Sequence, residues 1–390
     1  MRLYLMDLPD NADVIIIGGG VMGVSSAYHL ASNGCTDVVL LERKPLFGSE
    51  ATGKCAGGIR YQFSTEINIQ LSLLSLPMLD RFEEELGQPI DLRYYGYLFL
   101  LTNEKDVEIF RRNVKIQRSL GIETEWLDQA DIARMLPLIK LDDVLAGTFH
   151  AHDGLADPAG VVQGYVSGAR RLGAKLLNSV AVSDIQVEGG KVTGVITDHG
   201  LIASPVIVNA AGPWASEVGR MAGVEIPIVP SRRQIAVTTP VPELPADFPM
   251  VIDFERSLYF HREGPAILTG MSNHDEGTGF DQSVDYQWEL KHMEAAVKRF
   301  PILANAGITS RWAGLYENTP DSHPILGRIE EMEGFYCIGG FSGHGFQHGP
   351  ACGMLMAEEI TDGTAHSLDI SALNLSRFQE GRSIAEYNVV

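Results

Sequence analysis

The chain has 390 residues, long for one domain and typical of two, and its 45% hydrophobic and 21% charged content supplies ample material for a packed core. A formal net charge of −20 argues against a nucleic-acid partner, which demands clustered Lys and Arg. The acidic balance places no limit on a small substrate, since one buried Arg can bind a carboxylate inside an acidic protein.

The first ten residues, "MRLYLMDLPD", carry one Arg and a short apolar run cut by Asp7, which is not the pattern of a secretory signal. Cys35, Cys55, Cys337 and Cys352 show neither metal-ligand nor redox spacing, so reduced thiols in a cytoplasmic protein are expected. The run "VIIIGGGVMGVSSAYHLA" approaches membrane-span length, but its glycines, Ser25, Ser26, Tyr28 and His29 fit a buried strand, turn and helix, and no span is expected.

That stretch opens with an all-apolar strand, Val14 to Ile17, and turns on Gly18, Gly20 and Gly23 in G-x-G-x-x-G spacing. A helix pattern follows and closes at Gly34. A second strand, "DVVLLE", ends at Glu42, about 20 residues past the last glycine. Gly18 allows the tight turn, Gly20 lets the backbone approach a pyrophosphate, and Gly23 lets helix and strand pack closely. The helix N-terminus offers free N–H groups to the phosphates, and Glu42 can accept from ribose hydroxyls. The pattern reads as a dinucleotide site without deciding between NAD and FAD.

The small-residue loop Ser49 to Arg60, "SEATGKCAGGIR", lets backbone approach a flat ring system. A helix with Leu71, Leu74, Met78, Leu79, Phe82 and Leu86 on one face follows, with a kink expected at Pro77. "RYYGYLFLLT" reads as a long strand or strand pair, and "EKDVEIFRRNVKIQRSLG" as an amphipathic helix. His150 and His152 in "FHAHDG" point one way on a strand, but no third ligand accompanies them and no metal is expected. Asp157 and Pro158 are the N-cap and first residue of the next helix. "KVTGVITD" reads as an exposed strand, and Val206 to Asn209 as a buried one running into "AAGPWA". The chain is β-rich from "IVPSRRQIAVTT" to "AILTG", and "DYQWELKHMEAAVKRF" is helical. "RWAGLYENTPDSHPILG" reads as a strand and turn-rich loop. The strand "FYCI" then meets "GGFSGHGFQHGP", with a helix expected after Pro350.

Nucleotide-domain patterns at both ends and in the middle, with β-rich inserts between, give an α/β (α+β) chain of two discontinuous domains. Residues 1–90, 150–225 and 318–390 are assigned to a Rossmann-like domain, and 91–149 with 226–317 to a substrate domain.

In order, "DVIIIGGGVMG" with Glu42, "GGIRYQF", "GYLFLLTN", "DGLADP", "VNAAGPWA", "RWAGLYENTPDSHPILGR" and "GFSGHGF" resemble the D-amino-acid-oxidase-type flavoproteins. Within these, the sequence resembles the sarcosine-oxidase and dye-linked L-proline dehydrogenase β-subunits. The resemblance implies FAD, a large antiparallel sheet roofing the flavin, and oxidation of an amine C–N bond. It places cofactor contacts at Val21, Met22, Arg43 and Lys44 besides the glycines and Glu42, and in the loop at Ser49, Ala51, Thr52, Ala56, Gly57, Gly58 and Ile59. Further along it places them at Val182, Ala210, Ala211, Gly212, Trp214, Gly314 and Tyr316, and near the end at Gly340, Gly343, His344, Gly345, Phe346 and Gln347. The helix after Pro350 is expected to aim its positive end at the flavin's N1/C2=O edge, an effect of about 0.3–2 kcal/mol.

For the substrate, the resemblance implies Arg60 as the carboxylate grip, Tyr259 over the substrate and His344 near the flavin. Gln347 stands where monomeric sarcosine oxidases have a second carboxylate-binding lysine. Gly314 takes the place of their flavin-linking cysteine with no Cys near it in sequence, so non-covalent FAD is expected. Leu268 replaces an oxygen-activating lysine, which favours a dehydrogenase working with a second subunit or other electron acceptor. The expected substrate is a small amino acid such as proline or sarcosine. Two alternatives stay open: a free-standing glycine or D-amino-acid oxidase, and an FAD-bearing electron-relay subunit with little activity alone.

Overall fold

A computed structural model of the chain describes residues 8–35 and 37–389. Met1–Asp7, the stretch read above for a leader, lies outside the described residues.

Five segments far apart in sequence pair into one parallel sheet. Val14–Ile17 lies between Ile207–Asn209 and Val38–Glu42, flanked in turn by Phe335–Gly339 and Lys175–Asn178. Ile325–Arg328 closes one edge antiparallel. The central strand Val14–Ile17 is apolar and buried at every position, and Val38–Leu41 beside it likewise, because both faces are covered. Val14, Ile16, Val38 and Leu40 pack on the helices Val21–Ser32, Pro158–Arg171 and Gly345–Thr361. Ile15, Ile17, Val39 and Leu41 pack on the other side against Ile185, Val192, Val195 and Val218. Lys191–Thr197, expected to be exposed, is therefore half-buried. It is the centre of a three-stranded sheet whose Val192 and Val195 close that second core.

The larger sheet has eight strands in the order Ile308–Asn318, Val229–Thr238, Ala266–Met271, Leu258–Glu263, Met250–Asp253, Tyr97–Leu101, Ala146–His150 and Glu125–Leu127. Its pairings are antiparallel except for Met250–Asp253 with Tyr97–Leu101. Alternation divides its faces. Leu98, Leu100, Val251, Phe260 and Ile267 pack with Ala296 of the helix Tyr286–Arg299. Tyr97, Met250, Ile252 and Tyr259 point the other way. "RYYGYLFLLT" yields the single strand Tyr97–Leu101.

Two proline expectations change. The helix Glu66–Asp80 runs through Pro77 and breaks four residues later, at Arg81. Leu73, whose carbonyl Pro77 leaves without its helical donor, is exposed, so water can satisfy it. The last long helix begins at Gly345, with Pro350 inside it. The Ser75 hydroxyl repairs that helix one residue on, donating to the Gln347 carbonyl (2.5 Å) and accepting from Ala351 N (3.3 Å). The helix end that faces the glycine loop is thus Gly345–Gln347, six residues earlier than expected. Asp157 caps Pro158–Arg171 as read, accepting from Ala159 N and Gly160 N at 3.0 Å each.

Candidate active site

The glycine turn is built by exclusion. A Cβ on Gly23 would sit 1.9 Å from the Gly18 carbonyl oxygen, and one on Gly18, whose φ is +111°, would sit 2.4 Å from that of Ala210. Gly20 starts the helix with no side-chain cap. Val21 N donates to Thr52 Oγ1 at 3.2 Å. The Glu42 carboxylate reaches back across the turn, accepting from Gly19 N and Lys44 N at 2.7 Å each.

Around this turn runs a cleft of about 1310 Å³. Of the residues expected to touch the cofactor, Gly18, Gly20, Val21, Met22, Glu42, Arg43, Ser49, Ala51 and Thr52 line it near the turn. Val182, Ala210, Ala211, Gly212, Trp214, Tyr316, Gly343, Gly345 and Phe346 line it further along. The Arg43 guanidinium lies 3.9 Å over the Trp214 ring, a flat cationic wall suited to an aromatic base. These features fit a dinucleotide: a glycine cradle that any Cβ would fill, an uncapped helix start, and a long cleft.

A second cavity of about 920 Å³ shares Ala51, Cys55, Leu315, Tyr316, Gly343 and Phe346 with the first. Its roof is the free face of the large sheet, with Tyr97, Met250, Ile252, Tyr259, Ile235, Arg233, Gly314 and Tyr316. Tyr259 lies flat because its neighbour is Gly270, where a Cβ would come within 2.2 Å of the Tyr259 hydroxyl. The floor is Ala56, Gly57, Gly58, Arg60, Ser342, His344 and Gln347.

Four expected contacts line neither cavity. Gly23 serves packing, as above. Lys44 pairs with Glu50 at 3.0 Å. Ile59 is wholly buried in the core. Gly340, at φ +82°, turns the chain against Thr319, whose Cγ2 would be 2.4 Å from a Cβ there.

The four candidate substrate residues meet in the second cavity, but their polar atoms differ in availability. Arg60 is buried and stacks 4.0 Å over Phe63. Its two terminal nitrogens donate to the carbonyls of Gln62 and Asn388. The Gln347 amide is saturated. Its Oε1 accepts from Arg60 N at 2.9 Å, and its Nε2 donates to Arg60 O and Ser72 Oγ at 2.9 and 3.0 Å. His344 is buried with neither ring nitrogen hydrogen-bonded. Burial, then neighbouring His348 and Arg60, hold its pKa well below the ordinary histidine value, so it is neutral. His348 is pushed down to about 3 by burial, then by Arg60. Burial raises the Tyr259 phenol well above its usual range.

Among the lining residues that sequence reading missed, three carry chemistry of interest: Arg233, Glu317 and Cys55. Arg233 and Glu317 come from strands whose facing had not been assigned. Cys55 lies where the two cavities meet, so a thiol is close in space although none is close in sequence to Gly314. Burial pushes this thiol up to about 11, which keeps it protonated and a poor nucleophile. Acid precipitation is therefore expected to release flavin into the supernatant, and flavin held in the pellet would mean a covalent link. Glu317 is half-buried at the first cavity, its Oε2 buried and unpartnered, and burial raises it to about 7. His150 pairs with Asp153 at 3.0 Å, which occupies one of the two histidines once weighed as ligands.

Comparison with known proteins identifies the family and the fold. A model of the family "DAO: FAD dependent oxidoreductase" matches residues 13–359. Human mitochondrial sarcosine dehydrogenase is 32% identical over 95% of the chain, and rat mitochondrial dimethylglycine dehydrogenase 30% identical over 95%. The chain covers 42% and 45% of those proteins, less than half their length. The crystal structure of L-proline dehydrogenase from P. horikoshii superposes with a TM-score of 0.89 at 34% identity, covering 96% of this chain and 99% of that one. Glycine oxidase from Geobacillus kaustophilus shares the fold, with a TM-score of 0.84 at 23% identity over 95% of this chain and 99% of its own.

Proposed function

The chain belongs to the DAO family of FAD-dependent oxidoreductases, and from that membership we propose that it oxidises the C–N bond of a small amino acid, a secondary amine of the proline or sarcosine type. One observation carries this reading. Within a protein of net charge −20, the second cavity is lined by Lys54, Arg60 and Arg233 and, among the described residues, by no Asp or Glu. Such a cavity draws a carboxylate and disfavours a second cation. The same cations and the apolar walls of Met250, Ile252 and Ile235 lower the pKa of a bound amine, which frees its lone pair.

The residues of the first cavity would hold FAD, with Gly18 and Gly20 against the pyrophosphate, Glu42 toward the ribose and Arg43 with Trp214 beside the base. The chemistry supplied by bound FAD is acceptance, at N5, of the hydride from the carbon bonded to the amine nitrogen, which leaves an imine for water to hydrolyse. The protein's part is orientation: Tyr259 and Tyr97 close over the substrate, and the Gly57–Gly58 backbone brings it near the ring. With the function goes the proposed division into a cofactor unit of 1–90, 150–225 and 318–390, and a substrate unit of 91–149 and 226–317.

We also propose that electrons leave to a partner or dye and not chiefly to oxygen. Leu268 is buried and lines neither cavity, Gln347 is locked to the Arg60 backbone, and both buried histidines are neutral. The test is anaerobic reduction of the holoenzyme by proline, sarcosine, dimethylglycine, glycine and D-amino acids, then stopped-flow reoxidation. Bleaching by a secondary amino acid and reoxidation faster by dye than by air are expected. No bleaching by any of them overturns the amino-acid reading, and air reoxidation at the rate of turnover makes the enzyme an oxidase.

A further inference from the structure

We propose that Arg233 makes the direct contact with the substrate carboxylate. This rests on the reading of the second cavity as an amino-acid site and names the residue that selects for the acid group. It differs from the expectation that Arg60 takes that role.

Strand parity puts Arg233 there. Neighbouring Arg232 points away from the cavity and is spent on Glu276 and Asp281, each at 2.9 Å. Arg233 faces the cavity with Ile235, two residues on. Its partner across the strand pair Val229–Thr238 and Ile308–Asn318 is Gly314, which has no side chain of its own and is covered by the Lys54 stem, whose Cβ would lie 3.0 Å from a Cβ at that position. The guanidinium carbon lies 4.9 Å over the Tyr316 ring, a contact that fixes its plane.

Donor supply separates the three cations of this cavity. Lys54 pairs with Glu50 at 3.2 Å and also donates to Gln282. Arg60 spends both terminal nitrogens on carbonyls and covers one face with Phe63. Arg233 has no ion pair among the described residues. One terminal nitrogen, Nη1, donates to Ser231 Oγ at 3.1 Å and to the Arg232 carbonyl at 2.9 Å, both neutral acceptors on its own strand. Its Nε is buried and unpartnered. A half-buried guanidinium with a free donor and no countercharge gains most from an arriving carboxylate, and the planar fork suits one. Arg60 then acts as a fixed positive wall.

The test is isothermal titration of the FAD-loaded full chain with pyrrole-2-carboxylate and with its neutral counterpart, pyrrole-2-carboxamide. The wild type is expected to prefer the acid, and Arg233→Met to lose roughly 10- to 100-fold of the acid's affinity with little change for the amide. Arg233→Lys, which keeps the charge without the fork, is expected to fall between them. FAD content, read from visible absorbance, is expected to match the wild type in both variants, since Arg233 does not line the larger cleft. If the wild type prefers the acid and Arg233→Met keeps that preference with FAD bound, the assignment to Arg233 is wrong. If the wild type shows no preference, the amino-acid reading of the cavity fails, and this assignment with it.

Discussion

Glu42→Arg is expected to purify without its yellow cofactor, with FAD affinity reduced at least ~100-fold, while the fold survives. The carboxylate accepts from Gly19 N and Lys44 N, both at 2.7 Å, and so ties the phosphate turn to the end of the second strand. Each hydrogen bond to a charged group contributes about 1.5–3 kcal/mol. Losing two such bonds frees the turn, and a cation beside Arg43 and Lys44 adds repulsion where the ribose would need an acceptor. Gly23→Val is the contrasting variant. A Cβ there would lie 1.9 Å from the Gly18 carbonyl oxygen, so helix and strand must part, and thermal stability is expected to fall together with FAD. Flavin fluorescence quenching on reconstitution measures the first effect, and thermal unfolding of the apoprotein separates it from the second. A Glu42→Arg protein that keeps one FAD per chain would remove Glu42 from the site.

The nucleotide half was readable because its signals are local. A strand, a glycine turn and a helix follow one another within Val14–Ser32, with Gly23 required by Gly18 inside the turn and Gly18 by Ala210 at the end of the neighbouring strand. The helix at Gly345 was misplaced because "GHGFQHGP" has the composition of a loop, and Pro350 looks like a first-turn proline. What makes it helical is Ser75, some 270 residues earlier, which bridges the ladder near the proline. The substrate side was less legible for a similar reason. "SRRQIAV" sets two arginines side by side, and the two-residue period of a strand alone does not say which of Arg232 and Arg233 faces the cavity. Glu276 and Asp281 settle that from another segment. The segment Glu386–Val389 carries no periodicity, and its role comes from partners distant in sequence, Asp321 and residues more than 270 positions away.

That segment yields the second large expected effect. Glu386→Ala is expected to release residues 384–389 from the protein and cost on the order of 3 kcal/mol or more. The Glu386 side chain is nearly fully buried with no ion pair among the described residues, and its carboxylate accepts instead from six donors. These are the N–H and hydroxyl of Ser64, the N–H and hydroxyl of Thr65, Asn68 Nδ2 and Asn388 N. With it dock Tyr387, whose hydroxyl donates to Asp106 at 2.7 Å, and Asn388, whose carbonyl accepts from Arg60. Alanine leaves the buried donors unpaired and frees one end of Arg60, so KM for the amino acid is expected to rise while FAD remains. The pH dependence has a definite sign. Burial works to raise the Glu386 pKa, and the hydrogen bonds from Ser64, Thr65 and Asn388 more than offset it, leaving the carboxyl below its ordinary value. Its contribution is therefore complete above the ordinary carboxylate range near pH ~4.3 and is lost as pH falls through the lowered value. Hydrogen exchange over residues 384–389 reads the release directly. Protection equal to the wild type in Glu386→Ala, or a wild-type tail that stays protected after acid has protonated the carboxyl, would show that the apolar contacts of Tyr387 and Val389 hold the segment instead.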